Sequence, residues 1–153
     1  MIRAVLDTNV IVSGMLGFDL AESTPGALLR AWFRRDFELV VAEVLIREIE
    51  RTLSDEYFIE RVDQRIAHLT MTSLHKDATS TALSVTVTRI ATHPEDDLVL
   101  AAAVSAGTAY LVTGDKQLLR LSAYQGVTIV SPRAFLDILE AGATADTRHS
   151  PNQ

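Results

Sequence analysis

The chain has 153 residues, 48% apolar and 22% charged, with fourteen Lys+Arg against twenty Asp+Glu for a net charge of −6. That profile fits one ordinary globular domain, and it lacks the ~20-residue apolar run of a membrane span and the basic start of a secretion signal, so a cytoplasmic location is the expectation. The absence of cysteine excludes disulfides, zinc–thiolate sites and thiol nucleophiles, and the acidic balance argues against gripping nucleic acid by bulk charge.

Residues 2–6 (IRAVL) form a short apolar run that ends at Asp7, as a buried parallel strand does. Residues 9–16 begin a helix, and Pro25 opens another with Leu28, Leu29, Trp32 and Phe33 at helical spacing. Phe37 to Val41 reads as a second strand, and 42–53 as a helix striped by Leu45, Ile46, Ile49 and Leu53. Ser54, Asp55 and Glu56 start a helix that the spacing of Phe58, Val62, Ile66 and Leu69 carries through 55–74. The alternating, β-branched 83–87 predicts a strand. Pro94-Glu95-Asp96-Asp97 launches an alanine-rich helix that stops at Gly107. Tyr110 to Thr113 is a strand closed by Gly114-Asp115, 116–121 a short helix, and Val127 to Val130 the last strand. Ser131-Pro132 then caps a final helix to about Leu139, and residues 140–153 read as a polar, flexible tail after a 1–139 domain.

Strands alternating with helices imply an α/β fold, a mostly parallel sheet of about four to five strands with helices on both faces. Ligands of such sheets bind beyond the carboxyl ends of the strands, where strand order reverses. Asp7 and Asp115 each follow a strand directly. If those strands are neighbours, both carboxylates face one crevice.

Each acid also has a plainer role. Asp7 suits a helix N-cap, with Thr8 and Asn9 capping alongside or else steadying a metal-binding carboxylate and its water. Asp96 and Asp97 favour the dipole of the helix they start, although three acids in a row exceed what one dipole needs. Asp115 fits turn chemistry. Glu43, Glu48 and Glu50 all lie near the margin of one apolar stripe, and helical geometry does not choose among them. His68 and His75 lack a carboxylate partner at ligand spacing, His93 serves a turn, and Ser13 lacks a nucleophile elbow. There is no phosphate-binding glycine loop. A carboxylate-only site remains, and oxygen ligands select hard cations, Mg²⁺ or Mn²⁺.

Four segments in order, LDTNVIVSG, the Glu48 helix, EDDLVLAAA and LVTGD, resemble the PIN-domain family across roughly residues 1 to 139. The similarity extends to a branch of VapC-like toxin components of toxin–antitoxin systems. The resemblance implies a metal-dependent endoribonuclease whose catalytic acids are Asp7, Glu48, Asp97 and Asp115. In it Asp7, Asp97 and Asp115 hold one or two Mg²⁺ or Mn²⁺ ions, and Glu48 ligates or positions the attacking water. Thr8, Asn9, Asp96 and Thr113 are the supporting residues. Asp97 is preferred to Asp96 because the apolar step that follows it matches the family phase. Relatives often carry an acid near His93, so His93 is given no catalytic part. The implied partners are an RNA substrate and a small antitoxin protein, with a homodimer also in view and Arg47 or Arg51 as holders of the RNA backbone. Two rivals stand beside this reading. A phosphatase using an aspartyl nucleophile needs a second acid where Asn9 stands, and a catalytically silent binding module would keep the fold without turnover.

Overall fold

The structure is a computed structural model that describes residues 1–148, with side chains described through Ala143. Six strands form one sheet in the order β3-β2-β1-β4-β6-β5. They are β1 (Arg3–Leu6), β2 (Glu38–Ala42), β3 (Thr79–Thr81), β4 (Tyr110–Val112), β5 (Ala123–Tyr124) and β6 (Val127–Val130). All neighbours pair in parallel except β5, a two-residue edge strand antiparallel to β6. The expected sheet type is therefore observed, with more strands because the two edge strands, three and two residues long, are too short to stand out in the sequence.

Ala4, Val5 and Leu6 of β1 are buried together with Leu39 to Ala42 of β2, so the two central strands carry the near-continuous apolar runs that a doubly covered sheet requires. The helices are α1 (Thr8–Leu16), α2 (Thr24–Phe33), α3 (Glu43–Leu53), α4 (Glu56–Arg61), α5 (Gln64–Lys76), α6 (Pro94–Ala106), α7 (Lys116–Leu121) and α8 (Pro132–Arg148). Ala101, Ala102 and Ala103 of α6 are buried, and α6 lies against β1, β2 and β4. Their small side chains let the helix axis approach the sheet. Gly107 ends α6 in the left-handed conformation, φ 62°. Where α1 meets α2, a Cβ on Gly26 would stand 2.1 Å from the Gly17 carbonyl oxygen, so only glycine fits there. Phe37, just before β2, and Phe135 of α8 meet edge to face at 5.2 Å.

Three expectations need correction. The helix of 55–74 is two helices, because Val62 is extended (ψ 130°) and buried while Asp63 caps α5 through the Arg65 amide. Leu69, assigned to the apolar stripe, is 46% exposed. The strand expected at 83–87 lies earlier, at Thr79–Thr81, where the backbone pairs with Val40 to Ala42. The alternation in 83–87 records graded burial instead: Leu83 is exposed, Val85 half-buried and Val87 buried, without a ladder. Finally, α8 continues past Leu139 to Arg148, replacing the first part of the expected tail with helix. Residues 149–153 of that tail lie outside the described residues. None of the described helices is long and apolar enough to cross a membrane.

Candidate metal centre

Strand β1 leads to β2 and β3 on one side, and the chain returns through α6 to β4 on the other, so strand order reverses between β1 and β4. Their register, Leu6 opposite Val112, places Asp7 and Thr113 side by side at the carboxyl edge. This is the crevice expected of an open α/β sheet.

Asp7 is 2% exposed. Its amide donates to the Val112 carbonyl at 2.9 Å, which holds the backbone on the sheet. One carboxylate oxygen, Oδ1, accepts from the Asn9 amide at 3.3 Å and the Thr8 hydroxyl at 3.4 Å. The other, Oδ2, accepts from Thr113 Oγ1 at 2.8 Å. Asp7 is thus the N-cap of α1 and a crevice acid at once. Asn9 helps through its amide, while its side chain is exposed. Thr113 is fully buried, and its hydroxyl also accepts from the Asp115 amide at 3.0 Å. One hydroxyl therefore links the ends of β1 and β4 and fixes the spacing of two acids.

Asp115 caps α7, its Oδ2 accepting from the Leu118 amide at 2.8 Å and its Oδ1 from the Thr92 amide at 3.4 Å. Burial pushes its carboxyl up, but the Thr92 hydroxyl, the Leu118 and Thr92 amides and nearby His93 outweigh that, and it is held below the usual carboxylate range.

The third acid of the crevice is Asp96. Its carboxyl is pushed up to about 7, first by burial and then by the charges of Asp7 and Asp115, and it hydrogen-bonds to Asp7. A carboxyl near neutrality next to two others has too much negative charge around it, and the proton is the cation it finds. Asp97, expected to be the ligand, faces elsewhere. Its Oδ2 accepts from the Arg89 amide at 3.1 Å, and its Oδ1 accepts from the Ile90 amide at 3.1 Å and the Ala91 amide at 2.7 Å. Successive residues of a helix are turned by about 100°, so two adjacent acids cannot both face the sheet edge. The geometry therefore sets Asp96 beside Asp7 and Asp115 and turns Asp97 to the loop before α6.

Glu48 is half-buried on α3, and its Oε2 pairs with Arg51 Nη1 at 3.0 Å. No hydrogen bond joins it to the aspartates among the described residues. Glu50 pairs with His75 at 3.2 Å, and Glu43 is exposed. Thr92 and His93, given no place in the site beforehand, both border it. Nothing in the local sequence marks Thr92, whose role depends on a contact 23 residues away. His93 lowers the carboxyls of Asp96 and Asp115 by its charge.

Oxygen donors without sulfur suit a hard divalent cation, and the raised Asp96 carboxyl marks a place where bound positive charge relieves repulsion. Among the described residues, no group of three or more His, Asp or Glu side chains is arranged to hold a metal ion. Two cavities of about 560 and 930 Å³ lie elsewhere, around Met1, Arg35 and the start of β2. They sit at the amino end of the sheet, away from every acid discussed here, and the chemistry of the donor set outweighs concavity in locating the site.

The PIN domain family model matches residues 3–117. A crystal structure of PAE2754 from Pyrobaculum aerophilum is similar in fold, with a TM-score of 0.57 at 22% identity over 92% of this chain and 90% of that one. Among curated proteins no match was found.

Proposed function

Because the chain belongs to the PIN domain family, we propose that it is a metal-dependent endoribonuclease that hydrolyses RNA phosphodiester bonds, with Asp7, Asp96 and Asp115 holding the cation. The observation that carries this reading is the meeting of Asp7 and Asp115 at the β1/β4 switch point, linked through Thr113, with buried Asp96 close enough to both that their charges help push its carboxyl up to about 7. Mg²⁺ or Mn²⁺, when bound, supplies positive charge for the scissile phosphate and lowers the pKa of a bound water.

The protein's own groups do the rest. Thr8 and Thr113 each donate to one carboxylate oxygen of Asp7 and so steady its carboxylate. Asp96, whose carboxyl is raised by burial and by the charges of Asp7 and Asp115, would hold the cation with them once its proton has gone to solvent. Asp115 is kept ionised by Thr92 and Leu118. Glu48, steadied by Arg51, positions the attacking water. A small antitoxin protein restrains the enzyme in the cytoplasm, as the VapC-like resemblance implies.

The test is cleavage of single-stranded and structured RNAs with Mg²⁺, Mn²⁺ or EDTA, comparing wild type with Asp7→Ala and Asp96→Ala. Cleavage that requires metal and disappears in both variants supports the enzyme. A folded, metal-loaded wild type that cuts no RNA would favour the silent binding module.

A further inference from the structure

Arg89 stands in the segment between β3 and α6. Among the described residues, Arg35 shares its left-handed backbone and its exposed, unpaired side chain but lies at the amino end of the sheet, whereas Arg89 is tied to the helix that carries Asp96. The Arg89 backbone has φ 60°, a conformation in which glycine is at ease and a long side chain is rare. It is held there because its amide donates to Asp97 Oδ2 at 3.1 Å. Its side chain is exposed and makes no ion pair or hydrogen bond among the described residues. Arg34, Arg51, Arg61, Arg65 and Arg133 each have a carboxylate partner; Arg35, Arg47 and Arg120 are exposed without one among the described residues, and Arg89 differs from those three in being held by Asp97. Arg51 in particular is occupied by Glu48 at 3.0 Å, which weakens its case as an RNA contact.

The position is as informative as the conformation. Arg89 begins a stretch whose Ile90 and Ala91 amides are also bound to Asp97 and whose Thr92 amide reaches Asp115. The stretch therefore starts at the Asp97 cradle and, three residues on, meets the last acid of the crevice. A strained backbone that keeps an unpaired arginine within three residues of a site contact is a reason to look for a ligand of that arginine. The chemistry of a planar, permanently charged fork matches a phosphate diester.

We propose that Arg89 grips a phosphate of the RNA strand flanking the one that is cut, a role that rests on the nuclease reading above. Bound cations offset the three aspartates at the scissile phosphate, and Arg89 supplies the charge for its neighbour. The acidic net charge of the chain makes such a local cation necessary.

Arg89→Gly is the informative variant, since glycine suits the backbone and removes only the side chain; Arg89→Lys keeps a charge without the fork. The measurements are steady-state cleavage of a labelled single-stranded RNA with Mn²⁺ over a range of salt, Mn²⁺ affinity, and melting temperature. The expected result for Arg89→Gly is a KM raised about tenfold with kcat within about twofold. The slope of log(kcat/KM) against log[salt] should shrink by about 0.7, one phosphate contact on a single strand. Melting temperature should not fall, Mn²⁺ affinity should match wild type, and Arg89→Lys should recover the salt slope more than KM. Wild-type KM and salt slope in Arg89→Gly would overturn the role of Arg89 and leave the nuclease reading intact. Loss of kcat at unchanged KM would also overturn it, assigning Arg89 to shaping the acids. A wild type that cleaves no RNA removes the nuclease reading and this proposal together.

Discussion

The acidic crevice and the amide cradle behind it are built from consecutive residues, Asp96 and Asp97, which are 5% and 6% exposed. Burial is the same, and the surroundings are opposite. Asp97 meets three backbone N–H groups at 2.7–3.1 Å, a setting in which a buried charge is fully hydrogen-bonded. Asp96 meets two more carboxyls, and its own rises to about 7. The lesson is that a buried acid declares its purpose through its partners. Donors that satisfy it make it structural, whereas a shortage of donors leaves it seeking a cation.

The comparison can be broken in several ways, beginning with the largest effect. Asp7→Asn removes the acid common to the β1 end and the Thr113 link, and metal-dependent cleavage should fall by well over ~100-fold, the upper range for residues that only support a ligand. Wild-type turnover would show that the crevice is not the site. Next, Asp97→Asn sets an amide N–H₂ against amide donors and should cost about 2–4 kcal/mol in urea unfolding, the scale of losing charge-assisted bonds in a buried place. A neutral outcome would mean the cradle is unimportant to the fold.

Asp96→Asn should act in the opposite direction on the metal-free protein. A carboxyl whose folded pKa is raised above its unfolded value of about 3.9 contributes stability that is complete below that value and is lost as pH rises through about 7. Metal-free wild type should therefore lose stability between pH 4 and 7, and Asp96→Asn should flatten that decline and be the more stable at pH 8 by on the order of 1–3 kcal/mol. Denaturant midpoints across pH check both halves, and parallel curves for the two proteins would contradict a raised Asp96 carboxyl. Thr113→Val keeps shape but removes the hydroxyl between Asp7 and Asp115, for an expected cost of about 1–3 kcal/mol and weaker Mn²⁺ binding by ~10-fold or more. Smallest of all, Asn9→Ala should change stability by less than about 0.5 kcal/mol, because the Asn9 amide rather than its side chain meets Asp7.

Much of this was legible in the chain itself. Apolar runs ended by Asp7 and Gly114-Asp115 announced two parallel strands, and the sheet does set β1 beside β4. Ser131 and Pro132 announced α8, whose Ala134 amide is bound to the Ser131 hydroxyl at 3.1 Å. What was not legible depends on contacts distant in sequence. The choice between Asp96 and Asp97 turns on which one meets the amides of 89–91, and helix phase carries no record of where a preceding loop folds back. Thr79–Thr81 gives no strand signal of its own and is a strand only because β2 has an open edge for it. Val62, placed in an apolar stripe, satisfies its burial just as well from an extended backbone, so the break between α4 and α5 left no gap in the pattern.

The most direct test of the account is a calorimetric Mn²⁺ titration of folded wild type, Asp96→Asn and Asp97→Asn at pH 7.5. The structure predicts binding weakened by ~10-fold or more in Asp96→Asn and kept within about threefold in Asp97→Asn, since ligand-side changes are felt at the metal and cradle-side changes in the fold. The reverse pattern, with Asp97→Asn losing the ion and Asp96→Asn retaining it, would contradict the assignment of the crevice.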